Sequence, residues 1–490
     1  MPLRLVRLSR DISLDGAAVD LPVSGYVDLP EKVIQFGTGA FLRAFADAFI
    51  DQANRAGGFC GRVVAVESTG SGRSVALNDQ DGLYTLCVRG LERGLPVECC
   101  SIISSVSRAL DSREQWNEVL ACARNPEIKL VVSNTTEAGI RLDEGDRMDF
   151  SPPRSFPGKL TAFLYERAKS FEFDPSRGVI VLCCELIDRN GERLLEIVRD
   201  LAERWELGGR FQDWLSSSNR FCNTLVDRIV PGSPDRPAEA MRRLGYRDDL
   251  IVEAEPYRLW AIEGDVALRR RLGFADSDPG IVVVPDIEPY RERKVRILNG
   301  THTIMVPLSL LCGNETVCDT MRHPLTSRFV RRVMLEEIVP SIELDTGAAW
   351  EFARLVIERF ENPFIHHKLR SILLQQTLKM GVRVLPTVRA YTGRHGIPPH
   401  AIAFGFAAYL LLLREGDDFP PDEGAATVRD MWPGAASPAR QELAAFVDRV
   451  CAHGGVFPAG VNGGFPRAVA EYLDSMIRQG VVPALEEFLS

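Results

Sequence analysis

The amino-acid sequence predicts an α/β N-terminal domain followed by a mostly α-helical C-terminal domain. Up to about residue 288, short apolar runs alternate with helix-like segments, a pattern typical of a mainly parallel sheet covered by helices on both faces. After Pro289, strand signals fade and long amphipathic stretches dominate. A chain of 490 residues is too long for one core. We therefore predict two domains, 1–288 and 289–490.

A strand, a glycine turn and a helix open the first domain. Residues 33–36 are predicted as a buried strand, Gly37-Thr-Gly39 as the turn, 40–50 as the helix and 62–66 as a second strand. In this order, glycines let the backbone approach a pyrophosphate at a helix N-terminus, so the unit predicts a Rossmann-type dinucleotide site. The third glycine of the usual fingerprint is replaced by Leu42. The alternative is a glycine turn in some other α/β unit.

Glu67 follows the second predicted strand, where a carboxylate commonly accepts hydrogen bonds from ribose hydroxyls. Because a 2′-phosphate would meet like charge there, Glu67 favours NAD over NADP. Arg73 and the polar loop 68–71 favour the opposite choice. A solvated carboxylate at a strand end is the alternative interpretation.

The remaining elements follow the same two patterns. In the first half, strands are predicted over 129–133 and 178–183, and helices over 155–171 and 193–206. In the second half, the amphipathic stretches are 294–312, 327–339, 348–360, 365–381, 399–414, 439–451 and 465–479. They predict a largely helical domain.

Composition excludes several classes of function. A net charge of −9 argues against a nucleic-acid-binding surface. The longest apolar run, 401–413, is too short for a membrane span, and the N-terminus has no apolar signal core. Eleven cysteines form no regular framework, which predicts reduced thiols in the cytoplasm. The scattered histidines give no indication of a metal.

The stretch from Lys294 to His302 carries the main chemical signal. Lys294, Asn299 and His302 stand at offsets of zero, five and eight, which span about 140° of a helix surface and about 12 Å along its axis. All three side chains can therefore face one cleft. Lysine can exchange a hydroxyl proton, asparagine can donate to an oxyanion, and histidine can anchor a neighbouring oxygen. The alternative is an ordinary core-facing helix with Lys294 on its rim.

Several stretches resemble the polyol-specific long-chain dehydrogenase/reductase family, which includes mannitol dehydrogenases. They run through 37–45, 79–86, 223–229 and, most closely, 289–302. Within that family, four stretches are most similar to the members that interconvert D-tagaturonate and D-altronate with NAD(H): 133–139, 184–191, 221–227 and 362–365. The resemblance implies a Rossmann-type domain, a helical C-terminal domain and a reversible hydride transfer.

The resemblance also implies roles for individual residues. It makes Lys294 the general acid and base, Asn299 the oxyanion donor and His302 a substrate ligand. The family's second oxyanion asparagine is replaced by Leu186, and Asn190 is a candidate substitute. The expected cofactor residues are Gly37, Gly39, Phe41, Glu67, Asn134 and Asp227.

A ketouronate substrate also needs a cation for its carboxylate. Arg383 is the first candidate and Lys379 the second, and a solvated or salt-bridged residue is the alternative for each. Arg291, Arg293 and Arg296 could favour a neutral Lys294.

The predicted function is NAD-dependent reduction of D-tagaturonate. Fructuronate reduction or oxidation of a polyol such as mannitol is the alternative within the family, and a non-catalytic sugar-acid sensor is a distant one. The expected partner is a small sugar acid or polyol, with no nucleic acid, no membrane and no metal. The chain is expected to be a monomer or small homo-oligomer.

Overall fold

A computed structural model describes residues 5–13, 19–135, 139–343, 346–415, 419–420, 422–435, 438–454, 456–457 and 464–490. The chain divides into two compact units. The first contains residues 1–89 and 96–287, and the second contains residues 90–95 and 288–490.

The strands, in chain order, are β1 (Glu31–Phe36), β2 (Arg62–Glu67), β3 (Tyr84–Glu92), β4 (Leu95–Ile103), β5 (Val106–Asp111), β6 (Leu130–Ser133), β7 (Ile180–Cys183), β8 (Arg220–Cys222), β9 (Thr224–Asp227), β10 (Val252–Ala254), β11 (Leu259–Glu263) and β12 (Ile281–Val284). The helices of the first unit are α1 (Ala40–Ala44), α2 (Ala46–Arg55), α3 (Arg73–Asp79), α4 (Trp116–Ala123), α5 (Phe156–Ser170), α6 (Asn190–Arg204), α7 (Gly209–Ser218), α8 (Pro237–Leu244) and α9 (Val266–Leu272).

The first unit is built on a six-stranded parallel sheet in the order β5-β2-β1-β6-β7-β8. Neighbouring residues of one strand enter opposite cores: Val33 packs with α1 and α2, and Ile34 packs with α4 to α6. Because both faces are covered, the strands are continuous apolar runs. The predicted α/β fold is confirmed, and the four predicted strands and two later helices lie within a few residues of their observed bounds.

The chain order reverses between β1 and β6. Strands β2 and β5 lie on one side of β1, and β6, β7 and β8 lie on the other. In open parallel sheets, ligands bind at the carboxyl ends of the strands beside such a reversal. The turn after β1 is therefore the place to look for a cofactor site.

Two smaller sheets, β10-β3-β4 and β12-β11-β9, were not predicted. The hairpin of β3 and β4 also corrects the expectation that all thiols are reduced, because a disulfide joins Cys87 to Cys100. Their Cα atoms are 4.2 Å apart, the separation expected of facing residues on antiparallel strands. Pairing across a hairpin leaves no regular cysteine spacing in the sequence. Nine other cysteines of the described chain are free thiols.

The helix predicted over 40–50 is interrupted at Phe45, which has φ −128° and ψ −83°. The break exposes carbonyls that side chains then bind. The Tyr84 hydroxyl donates to the Arg43 carbonyl at 2.7 Å, and the Arg228 guanidinium donates to the Ala44 carbonyl at 2.5 Å. Both donors are distant in sequence, so local periodicity could not reveal the break.

Apart from a single bridge between Thr316 and Lys368, regular structure in the described residues after 288 is helical. The helices are α10 (Glu288–Arg293), α11 (Thr301–Leu311), α12 (Val317–Arg322), α13 (Pro324–Arg331), α14 (Thr346–Phe360), α15 (Leu369–Ile372), α16 (Gln376–Lys379), α17 (Leu385–His395), α18 (His400–Glu415), α19 (Glu423–Asp430), α20 (Arg440–Ala452), α21 (Phe465–Gln479) and α22 (Val481–Leu489). The predicted helical character is confirmed.

Three π-helical segments interrupt the expected α-helices: Lys294–Gly300, Arg332–Ile338 and Met380–Val384. The helix predicted over 365–381 is also wrong in part, because residues 365–368 are not helical and Gln375 takes a left-handed conformation with φ 55°. No helix of the described chain is both long and apolar enough to cross a bilayer.

Candidate active site

In the turn after β1, glycine occupies positions 37 and 39 for two different reasons. Gly37 has φ 135°, and a Cβ there would lie 2.9 Å from a Leu42 methyl group and 3.3 Å from the Asn134 carbonyl oxygen. At Gly39, the N-cap of α1, a Cβ would meet no atom within 4 Å. Packing therefore explains Gly37, whereas Gly39 leaves open space beside the backbone, as a bound pyrophosphate requires.

Leu42 replaces the third glycine of the usual fingerprint without leaving a gap. Its side chain is buried and fills the space against Gly37. Phe41, the preceding residue, is half-buried and stacks on Phe45 with ring centroids 4.9 Å apart.

Asn134 ties the carboxyl ends of three strands together. Its backbone N–H donates to the Phe36 carbonyl at 3.3 Å, and its side-chain amide donates to the Cys184 carbonyl at 2.6 Å. Gly37 and Asn134 thus meet beside the reversal in strand order. Residues 136–138 of the family-like stretch 133–139 lie outside the described residues.

The Glu67 side chain is turned into the protein. Its two carboxylate oxygens accept from the Ser71 hydroxyl at 2.5 Å and the Ser74 backbone N–H at 2.7 Å. Burial raises the pKa of this carboxyl, but these hydrogen bonds outweigh burial and the net pKa is lowered. Glu67 is therefore ionised and organises the turn before α3, and its contact with a ribose stays a prediction.

Asp227 belongs to a different sheet from β1 and β6, the strands that precede Gly37 and Asn134. It ends β9 and pairs with Leu259 of β11 in a three-stranded sheet. Its predicted cofactor role likewise stays a prediction.

Asn190 does not substitute for the asparagine missing at Leu186. Its amide nitrogen donates to the carbonyls of Cys183, Glu185 and Thr224, and its amide oxygen accepts from two backbone N–H groups. The side chain is buried and committed to holding the loop, which corrects that expectation. Leu186 itself is exposed.

In the second unit, Lys294 and Asn299 lie on a π-helical turn instead of the predicted α-helix. Because π-helical hydrogen bonds join residues five apart, these two residues lie nearly above one another. His302 follows three residues later in α11, on the neighbouring face. The three side chains are thus closer in direction than an α-helix would make them. Single π-turns inside α-helices are frequent at functional sites.

The π-turn lies against the segment that carries Arg383. A Cβ at Gly300 would stand 3.4 Å from the Arg383 carbonyl oxygen, so glycine permits this close approach. Arg383 lies in the π-helical segment Met380–Val384, directly after Lys379 on α16. The Lys379 ammonium donates to the Ile372 carbonyl at 2.8 Å. The two predicted substrate residues and the catalytic stretch therefore belong to neighbouring segments of one unit.

His302 lies in a buried, positively charged environment. Its Nε2 atom is buried and has no hydrogen-bond partner within the described chain. Burial lowers the pKa of His302 well below 6.5, and His367, Arg359, Arg383 and Lys379 lower it further. His302 is therefore a neutral imidazole that can hydrogen-bond a substrate oxygen.

Sequence reasoning missed three residues around His302. Phe360 stacks on its ring at 4.2 Å between centroids, and His367 meets it nearly at a right angle at 5.4 Å. Arg359 is buried and precedes Phe360 at the end of α14. The only sequence signal was the family-like stretch 362–365, which lies between them.

The arginines next to Lys294 are directed to other partners. Arg291 pairs with Glu288 at 3.1 Å, and the Arg293 guanidinium lies over the Tyr290 ring. Arg296 is buried and donates to the hydroxyls of Thr387 and Ser341. The expectation that Arg296 assists Lys294 is therefore replaced by a structural role. Within the described residues, no cluster of three His, Cys, Asp or Glu side chains could hold a metal.

Both halves of the chain match known protein families. Residues 31–273 match the family model for the mannitol dehydrogenase Rossmann domain, and residues 286–456 match that for the mannitol dehydrogenase C-terminal domain. Altronate oxidoreductase of Bacillus subtilis is 40% identical over 468 residues, covering 94% of this chain and 96% of the relative. That of Pectobacterium atrosepticum is 44% identical over 395 residues, covering 79% and 81%.

Two solved structures share the fold at low identity. Pseudomonas fluorescens mannitol 2-dehydrogenase, in a ternary complex with NAD and D-mannitol, has a TM-score of 0.72 at 23% identity and covers 99% of both chains. D-sorbitol dehydrogenase in substrate-free form has a TM-score of 0.80 at 20% identity, covering 98% of this chain and 100% of that one.

Proposed function

Because this chain belongs to the mannitol dehydrogenase family, we propose that it is an NAD-dependent oxidoreductase that reversibly reduces D-tagaturonate to D-altronate. The relatives named altronate oxidoreductase support this substrate. The single structural observation that carries the proposal is the packing of the segment with Lys379 and Arg383 against the catalytic stretch, where a Cβ on Gly300 would stand 3.4 Å from the Arg383 carbonyl oxygen. Arg359, Arg383 and Lys379 all act electrostatically on His302. A substrate with hydroxyls and a carboxylate suits such surroundings, whereas a neutral polyol has no need of them.

Residues of the first unit would hold the cofactor. Gly39 leaves the backbone open to a pyrophosphate, and Gly37 forms the tight turn before it, against Asn134. Phe41, Glu67 and Asp227 complete the proposed set. When bound, NADH supplies the hydride that reduces the ketone. We keep 1–288 as the cofactor domain and 289–490 as the substrate and catalytic domain, a division supported by the boundary between the compact units after Ile287.

The catalytic stretch would handle the proton and the developing charge. As an ammonium, Lys294 donates a proton to the ketone oxygen while negative charge builds there, and in the oxidation direction neutral Lys294 removes the hydroxyl proton. Asn299 donates a hydrogen bond to the same oxygen. His302 holds a substrate hydroxyl or the carbonyl, and Arg383, with Lys379, holds the carboxylate.

The proposal includes the biochemical setting. A small sugar acid or polyol is the expected partner, without nucleic acid or membrane, for a cytoplasmic monomer or small homo-oligomer. The net charge of −9 supports the exclusion of nucleic acid. Light scattering of the purified protein measures the number of chains per particle.

A substrate panel tests the proposal. Absorbance at the NADH band should fall with D-tagaturonate and rise with D-altronate and NAD, with slower rates for fructuronate and mannonate. Mannitol or arabinitol as the best substrate would replace the proposal with a polyol dehydrogenase. No turnover with any ketouronate or polyol would favour a sensor.

A further inference from the structure

The imidazole of His302 packs against two other rings, those of Phe360 and His367. Phe360 lies nearly parallel to it, at an interplanar angle of 23°, and His367 stands at 82°. A ring restrained by one parallel and one perpendicular neighbour has little freedom to rotate within a packed interior. Its Nε2 direction is therefore fixed.

The backbone of His367 is anchored independently of its side chain. Its carbonyl accepts from the Val317 N–H at 3.0 Å, and the Leu369 N–H donates to the Glu315 carbonyl at 2.9 Å. Between these bonds, Lys368 forms an antiparallel bridge with Thr316. The Thr316 side chain also closes the capping box of α12. The segment thus presents the imidazole of His367 to His302 from a rigid support.

The restrained ring carries the unpartnered atom. Nε2 of His302 is buried without a hydrogen-bond partner in the part of the chain that the structure describes. A buried polar atom of this kind requires an explanation. A substrate oxygen can satisfy it only if the ring keeps its direction, because a hydrogen bond weakens steeply as its angle departs from linear.

We propose that His367 is a positioning residue, which holds the His302 ring so that Nε2 meets a substrate oxygen. The inference rests on the proposed function, because it names a further determinant of the same substrate site. Its contribution comes from the shape of the ring and from exclusion of water. Phenylalanine should therefore replace His367 well, and alanine should not.

Titration of His302 in the ligand-free protein tests this without any substrate. The titratable and charged groups acting on His302 are His367, Arg359, Arg383 and Lys379. His367→Ala removes one of them and admits water, so the pKa of His302 should rise toward its ordinary value. His367→Phe should leave it closer to wild type. NMR of histidine-labelled protein measures the shift, with the neighbouring exposed His366→Ala as the matched control.

Kinetics give the second readout. Misplacing a reacting contact by about 1 Å costs on the order of 100-fold. We expect His367→Ala to lower kcat/KM by roughly 10- to 100-fold on acidic and neutral substrates alike. His367→Phe should stay within a few-fold of wild type, and His366→Ala should be unchanged. Cofactor affinity should be the same in all variants. His367→Leu, which keeps bulk without a planar ring, should be intermediate and serves if the alanine variant does not fold.

Two results would overturn the inference. In one, His367→Ala keeps both the His302 pKa and the kcat/KM of wild type. In the other, the phenylalanine variant loses as much activity as the alanine variant, which would assign the effect to the polar atoms of His367. Failure of wild type to reduce a ketouronate would instead remove the proposed function and leave the titration result standing.

Discussion

The two candidate sites differ in what they are made of. In the first unit, the glycine turn is a local backbone feature: Gly37 and Gly39 lie within three residues, and open space beside Gly39 is its main property. In the second unit, the surroundings of His302 consist of side chains from segments far apart in the sequence. A site for a common cofactor can therefore be read from a short sequence pattern, whereas a site for a particular substrate depends on tertiary packing.

Removal of the Lys294 ammonium should have the largest effect on kcat, and it tests whether the second unit carries out proton transfer. Lys294→Ala should lower kcat by roughly 10²–10⁴-fold, because a positioned acid or base typically contributes that much. Steady-state kinetics and an NADH-binding titration measure it, and cofactor affinity should hardly change. Arg291→Gln is the control, because Arg291 pairs with Glu288. Retention of most wild-type kcat by Lys294→Ala would refute the assignment.

Removal of the Arg383 guanidinium should lower kcat/KM for acidic substrates much more than for neutral ones. Arg383→Ala should lower kcat/KM for a ketouronate by about 10- to 150-fold, since a charge-assisted hydrogen bond is worth roughly 1.5–3 kcal/mol. Activity on a neutral ketose should stay nearly constant. Equal losses on both substrates would make Arg383 structural, and Lys379 or Arg359 would then be the residue to substitute.

Two buried groups, Glu185 in the first unit and His302 in the second, should contribute to stability with opposite dependence on pH. Burial raises the pKa of Glu185 in the first unit to about 7. A raised pKa contributes stability at low pH that is lost as the pH rises through about 7. Glu185→Gln should therefore gain stability relative to wild type between about pH 5 and about pH 8. Urea unfolding at the two pH values measures the difference.

The matched experiment on the second unit is His302→Phe. Burial and nearby positive charge lower the pKa of His302 well below 6.5. A lowered pKa contributes stability above about pH 6.5 that is lost on acidification. This variant should therefore be more stable relative to wild type at about pH 5 than at about pH 8. If the free energy of unfolding relative to wild type changed in the same direction between about pH 5 and about pH 8 in both variants, one of the two pKa assignments would be contradicted.

The smallest expected effect concerns the first unit. If a cofactor ribose contacts Glu67, the carboxylate should disfavour a 2′-phosphate by about 1 kcal/mol, or about fivefold. Wild type should prefer NADH, and Glu67→Ser should narrow that preference in kcat/KM for the two cofactors. Equal use of NADPH by wild type would place the adenosine nearer to Arg73 and the loop 68–71.

Much of the fold could be predicted because it is locally encoded. The buried parallel strands are continuous apolar runs, and α21 was predicted with its observed bounds. The break at Phe45 could not be predicted, because Tyr84 and Arg228 bind the freed carbonyls from distant positions. In one of the small sheets, Val252 of β10 pairs with Leu86 of β3 across a long sequence separation, which periodicity does not record.

The candidate site was likewise predicted where it depends on local sequence and missed where it depends on tertiary contacts. Lys294, Asn299 and His302 were found as a pattern within one stretch, but the π-turn that carries Lys294 and Asn299 and its close approach to Arg383 were not predicted. Arg359 and His367 carry no local signal, since an arginine at a helix end and a histidine in a loop are ordinary surface residues in sequence. Only in the folded unit does the His367 ring meet that of His302 and does Arg359 act on His302 electrostatically.

The most direct test of the account is the ratio of kcat/KM for D-tagaturonate to that for a neutral ketohexose, measured with NADH and wild-type protein. The cations around His302 predict a ratio well above ten, the equivalent of about 1.4 kcal/mol, and its collapse in Arg383→Ala. A ratio near one, or a preference for the neutral sugar, would contradict the central claim that the second unit recognises an acidic sugar.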